Sequence, residues 1–143
     1  MFKNILICSF VPKNNKVAIE TTFELAKKFD SSVIFLKCIH EELPTFAFFH
    51  RKSEKKKHEE VTKEIQLALE EIEEMAKHHN VSVKTESAFV ETLSEYVIEH
   101  VKKNNIDLFV ADSSLPADIS THDHKDVVNR IYKEIDCAIL TLK

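Results

Sequence analysis

A chain of 143 residues with 43% apolar and 31% charged side chains is long enough to bury one core and too apolar to stay disordered. Its formal charge of −4 offers no general attraction to nucleic acid or to anionic membranes, and its N-terminal apolar run is too short for a leader or a membrane span. It contains no glycine, so every tight turn and every close approach of backbone to a ligand must be made by residues that carry a Cβ.

Residues 4–8 (Asn-Ile-Leu-Ile-Cys) read as a first buried strand. A helix follows with Ala18, Thr22, Leu25 and Phe29 on one face, and residues 33–39 form a second buried strand. A long helix carries the stripe Val61, Ile65, Ala68, Ile72 and Met75. Residues 81–88 alternate apolar and polar side chains, which suits a sheet edge. Thr92-Leu93-Ser94-Glu95 has the spacing of a capping box and opens a helix with Leu93, Val97, His100 and Val101. Residues 107–111 are the fourth strand, Val127, Val128, Ile131, Tyr132 and Ile135 mark the fourth helix, and 137–142 close the chain as a fifth strand. The order β-α-β-α-β-α-β-α-β predicts one α/β domain over residues 1–143. It is a doubly wound, Rossmann-like, mostly parallel five-stranded sheet with helices on both faces. Ligands in such sheets bind beyond the carboxyl ends of the strands, which here means segments 9–15, 40–52 and 112–125.

The lead-in Lys3-Asn4-Ile5-Leu6-Ile7, the segment Asn105-Ile106-Asp107-Leu108-Phe109-Val110 and the ending Asp136-Cys137-Ala138-Ile139-Leu140 lie at the spacing of one known family. Together with the strand order, they resemble the universal stress protein (UspA-like) family over the whole chain. ATP-binding members follow the fourth strand with a phosphate loop of spaced glycines closed by a serine or threonine. The same register here falls on Asp112, Leu115, Lys125 and Asp126, so the frame is kept and each signature residue is replaced. Those members also tend to end the first strand with an aspartate that meets the nucleoside, and the matching position here is Phe10.

Charge points the same way. Residues 112–126 hold Asp112, Asp118, Asp123 and Asp126 against Lys125 alone. One carboxylate about 8 Å from a phosphate charge costs about 2 kcal/mol at an effective dielectric near 20. A helix N-terminus returns only about 0.3–1 kcal/mol. The resemblance with these departures implies a member that uses no cofactor and does not bind ATP in the family's usual mode. It also implies a homodimer built through the last strand, with Ile139, Leu140, Thr141 and Leu142 at the interface.

Three further features bear on function. His122-Asp123-His124 on a loop could ligate a metal; the same acidic residues also suit the start of a helix, and a helix beginning at Thr121 would separate the histidines. Phe46, Phe48 and Phe49 could close over the crevice as a lid, face a protein partner or stack on a planar ligand. The basic run before His58 is followed by Glu59, Glu60 and Glu64, partners for Lys55 and Lys56 on a solvated helix face rather than a nucleic-acid patch. The cysteines Cys8, Cys38 and Cys137 lie in or beside apolar runs and read as buried, reduced thiols packing as small hydrophobes. Only Cys38, beside Lys37 and His40, comes near the positive charge a reactive thiol would want, and no CxxC spacing supports it. No nucleophile, base and orienting group are spaced for catalysis. The expectation is a cytoplasmic, non-enzymatic protein acting by homodimerisation and association with an unidentified protein partner. A nucleotide switch with an altered loop, or metal binding at His122, Asp123 and His124, is the alternative.

Overall fold

The computed structural model describes residues 1–41, 52–112 and 121–142. Its elements are β1 (Asn4–Ser9), α1 (Lys16–Phe29), β2 (Ser32–His40), α2 (Lys52–His79), β3 (Ser82–Val90), α3 (Leu93–Lys103), β4 (Leu108–Asp112), α4 (Thr121–Glu134) and β5 (Ala138–Leu142). The strands form one sheet in the order β3-β2-β1-β4-β5, and every pairing is parallel. The predicted doubly wound fold is the observed one, with the strand order reversing between β1 and β4.

The two-residue period of the strands sorts the core into two layers. Ile5 and Ile7 of β1, Val33 and Phe35 of β2, and Leu108 and Val110 of β4 pack against Ile19 and Phe23 of α1 and Ile72 of α2. Leu6, Cys8, Leu36, Cys38 and Phe109 point the other way, onto Leu93 and Val97 of α3 and Ile131 of α4. Each fully buried Leu, Ile, Val or Phe contributes about 1.5–3 kcal/mol relative to exposure. The central strands are therefore apolar on both faces. β3, at one edge, is half-exposed along its length, as its alternation predicts.

Two local expectations are corrected. The buried face of α1 is Ala18, Ile19, Thr22, Phe23 and Ala26; Leu25 is only half-buried and Phe29 is 38% exposed. In α1 the stripe through Ile19 and Phe23 reaches the sheet, and the one through Leu25 and Phe29 skirts it. Helix α3 starts where the capping-box spacing places it, but the Thr92 side chain makes no cap hydrogen bond. Ser94 and Glu95 instead receive Arg130 of α4, at 3.2 Å and 3.4 Å.

Without glycine, three helices leave their last turn through Asp30, Asn80 and Asn105, at φ of 53°, 54° and 51°. Asn and Asp are the residues that tolerate the left-handed region best after glycine. The following amides then bond to carbonyls five residues back: Ser31 to Ala26, Val81 to Ala76 and Ile106 to Val101, at 2.8–3.0 Å. Each helix keeps a glycine-type stop, made by a different residue.

Candidate functional site

The crevice lies at the carboxyl ends of β1, β2 and β4, and its residues come from β1, the loop to α1, β2 and β4. Lys37 is at its centre. It is the one charged residue of β2 short of its last position, and it is fully buried on the α1/α2 side of the sheet. Its Nζ donates to the carbonyls of Val11 at 2.9 Å and Lys13 at 3.3 Å and to Ser9 Oγ at 3.4 Å. Ser9 Oγ in turn donates to the Val11 carbonyl at 3.1 Å. The ammonium also lies 5.5 Å from the Phe35 ring centroid. Burial lowers the Lys37 pKa to about 8, although the negative charges of Asp112, Glu64 and Glu71 act in the opposite direction.

A second tie crosses the switch point. Asn15 caps α1, its Oδ1 accepting from the Ala18 amide at 3.2 Å, while its Nδ2 donates to Asp112 Oδ1 at 3.1 Å. Asp112, the last residue of β4, is 5% exposed. One asparagine thus satisfies a free helix N–H and holds the end of β4 against the loop after β1. Asn14 ties the same loop to α2, donating to the Ala68 carbonyl at 2.9 Å.

Phe10 is 4% exposed and belongs to the α3/α4-side core with Leu36, Leu93, Val97 and Phe109. The loop that follows β1 is therefore held from three directions: Phe10 by apolar packing, Val11 and Lys13 by Lys37, and Asn15 through Asp112.

Cys8 and Cys38 are buried, and burial pushes Cys8 well above its ordinary pKa and Cys38 up to about 12, with Glu86 adding to the latter. These are the buried thiols that their apolar surroundings predict, and Cys137 is half-buried. Successive strand residues face opposite sides, so the ammonium and the thiol sit in different layers.

Leu115, Phe46, Phe48 and Phe49 lie outside the described residues. His122, Asp123, His124, Lys125 and Asp126 stand in α4, which is helical from Thr121, and their side chains are likewise outside the described residues. Ile139, Leu140, Thr141 and Leu142 form most of β5, the edge strand beside β4. Ile139, Leu140 and Leu142 are half-buried against the core, and Thr141 is exposed and hydrogen-bonded to the Tyr132 hydroxyl.

Lys37 and Asn15 were not singled out by the sequence reading. A signal existed for the first: a lysine between Leu36 and Cys38, in a strand otherwise reading as buried, must find acceptors. Asn15 carried the ordinary signature of an N-cap, but its partner lies 97 residues away.

The sequence profile of the Universal stress protein family matches residues 1–140. A universal stress protein family member from Burkholderia pseudomallei superposes with a TM-score of 0.71 at 15% identity, over 99% of this chain and 96% of its own. UspA from Lactobacillus plantarum gives 0.71 at 14% identity, over 99% and 98%. A family protein from Arabidopsis thaliana with AMP bound gives 0.61 at 13% identity, over 99% and 91%. No curated protein sequence matches the chain. At such identities the structural likeness carries the fold, and the profile match carries the family.

Proposed function

We propose that this chain, which belongs to the universal stress protein family, is a member that does not bind ATP in the family's usual mode and acts by associating with a second copy and with other proteins. The observation that carries this reading is Phe10. An aromatic ring buried in the core stands where ATP-binding members tend to place a nucleoside-binding aspartate. Asp112 supports it, with a Cβ and a carboxylate at the first glycine position of the phosphate loop, tied to Asn15. A backbone that carries this side chain cannot approach a phosphate as a glycine can. The polar groups of the crevice floor, Lys37 Nζ and Asn15 Nδ2, are engaged within the chain rather than directed at a ligand.

Association through β5 completes the proposal. Its outer edge has no strand neighbour among the described residues, and Ile139, Leu140 and Leu142 are only half-buried in the single chain. Pairing with a second β5 would satisfy the free backbone groups and cover these side chains. Among the described residues no helix is long and apolar enough to cross a membrane, in keeping with a cytoplasmic site of action.

The test is thermal unfolding with and without millimolar ATP–Mg²⁺, ADP and AMP. A ligand at about 100 times its Kd adds about 2.7 kcal/mol of stability. The expected result is no shift. A clear upward shift would overturn the reading and favour the nucleotide switch, which the AMP-bound Arabidopsis relative brings to mind. Stability lost to a chelator, and insensitive to it after substitution of His122 and His124 by alanine, would instead favour the metal reading.

A further inference from the structure

Helix α2 is 28 residues long and turns Ile65, Ala68, Ile72 and Ala76 into the core. At about 100° per residue, its opposite side carries one stripe within about 60° of arc: Lys56, Lys63, Leu67, Glu70 and Glu74, all exposed. Leu67 is 66% exposed, a large apolar side chain in the middle of this charged face. The i,i+4 pairing of Lys56 with Glu60 expected from the sequence does not form. Among the described residues Lys56, Lys63 and Glu70 enter no ion pair within the chain.

The order of charges along this stripe makes it complementary to itself. Cations, Lys56 and Lys63, lie toward the N-terminal end and anions, Glu70 and Glu74, toward the C-terminal end. Laid antiparallel on a second copy about a two-fold axis at Lys63, each Lys56 meets the other chain's Glu70. Leu67 then falls beside Glu59 of the other chain, covered near the axis. The two Lys63 side chains face each other with Glu59 and Glu60 of both chains around them. A two-fold contact requires such self-complementarity, in which residue i meets j and j meets i.

We propose that the outward face of α2 is a salt-sensitive contact between two copies of this chain. It rests on neither the nucleotide reading nor the β5 contact. Helix α2 packs on β3, at the opposite edge of the sheet from β5, so both associations can operate at once. Exposed ion pairs are individually weak and screened by salt, so the contact is a low-affinity one that forms at high protein concentration.

Sedimentation equilibrium over a range of protein concentrations at low and high salt tests it on the full chain. The expected result is an association step that weakens about tenfold between 50 and 500 mM NaCl. Lys56→Glu and Glu70→Lys should each weaken that step by about tenfold, and the double variant, which restores opposite charges across the axis, should recover it. An association through β5 depends on backbone pairing and apolar side chains and does not follow the charge swap, so the two contacts are told apart. No salt-sensitive step in the natural chain, or a double variant no better than the single ones, would overturn the proposal.

Discussion

The Nζ of Lys37 lies 2.9 Å from the carbonyl oxygen of Val11, so a fully buried ammonium from β2 holds the loop between β1 and α1. The same loop carries Phe10 into the core and Asn15 to Asp112. Closure of this crevice is thus a property of three independent contacts. No single substitution among them should open it completely.

Lys37→Met keeps the stem and removes the ammonium, leaving the part-buried Lys13 carbonyl without this donor and the Val11 carbonyl with Ser9 Oγ alone. An unsatisfied buried acceptor costs about 1–3 kcal/mol, against which the variant no longer buries a charge. The diagnostic is the pH dependence. Burial lowers the folded Lys37 pKa from 10.5 to about 8. Between those values the unfolded chain binds a proton that the folded chain has released, so stability rises with pH. The natural protein should therefore gain on the Lys37→Met variant as pH climbs from 7 to 10, by about 3 kcal/mol at most. The raised thiols of Cys8 and Cys38 act in the opposite sense, but they are common to both proteins and cancel. Urea midpoints of the two proteins at pH 7, 8, 9 and 10 measure the gap. A constant gap would show that Lys37 does not titrate in this window.

Glu86 ties the β3 edge to α3. Its carboxylate lies 3.0 Å from His100 Nε2 and 3.1 Å from Lys84 Nζ. Burial alone would raise its pKa, but the hydrogen bonds and positive charge of Lys84 and His100 outweigh this and hold it below 4.5. A depressed carboxylate stabilises the fold fully above its unfolded pKa, and that contribution fades as pH falls through the folded value. Because the group is partly exposed, the effect is at most about 1 kcal/mol. Glu86→Gln should lower stability by up to that amount at pH 7 and by less at pH 3, as followed by thermal unfolding at both values. An equal loss at the two values would show a packing effect rather than a charge.

Asn80 leaves α2 at φ 54°. A β-branched residue there meets the full cost of the left-handed region, roughly 1–2 kcal/mol. Asn80→Val should therefore destabilise by about that much, while Asn80→Gly should change stability by no more than about 1 kcal/mol. Equal effects of the two substitutions, in chemical denaturation at neutral pH, would mean that this φ does not limit the choice of residue.

These residues show what was legible in the chain. The strands were readable because β1, β2 and β4 are buried on both faces and are apolar at most positions, with Lys37 of β2 the charged exception inside the run. The long stripe of α2 was readable for a related reason, since one face of a 28-residue helix repeats often enough to be seen. Short helices are less determinate. Over the 14 residues of α1, two apolar stripes compete, and only the tertiary packing selects Ile19 and Phe23 over Leu25 and Phe29. Side-chain partners were least legible. Thr92, Ser94 and Glu95 have capping-box spacing, but an arginine more than thirty residues on competes for Ser94 and Glu95. The Asn15–Asp112 bond likewise depends on which strands are neighbours, which local pattern does not encode.

The β5 edge supplies the last prediction. Thr141 is exposed and stands opposite Ala111, within the pairing with β4 that runs from Leu108 opposite Ala138 to Asp112 opposite Leu142. A lysine at such a position protects an edge strand, because pairing with a second strand would bring its charge against its own copy. Thr141→Lys gives up the hydrogen bond with Tyr132, worth about 0.5–1.5 kcal/mol. It leaves the half-buried Ile139, Leu140 and Leu142 in place, so the single chain should still fold. Dimerisation through β5 should weaken by about tenfold or more, corresponding to about 1.4 kcal/mol. Light scattering across a dilution series reads the dimer fraction, and circular dichroism checks the fold. A variant that folds and still dimerises as the natural chain does would place the dimer contact elsewhere than β5. Association that then follows the Lys56 and Glu70 charge swap would assign it to α2.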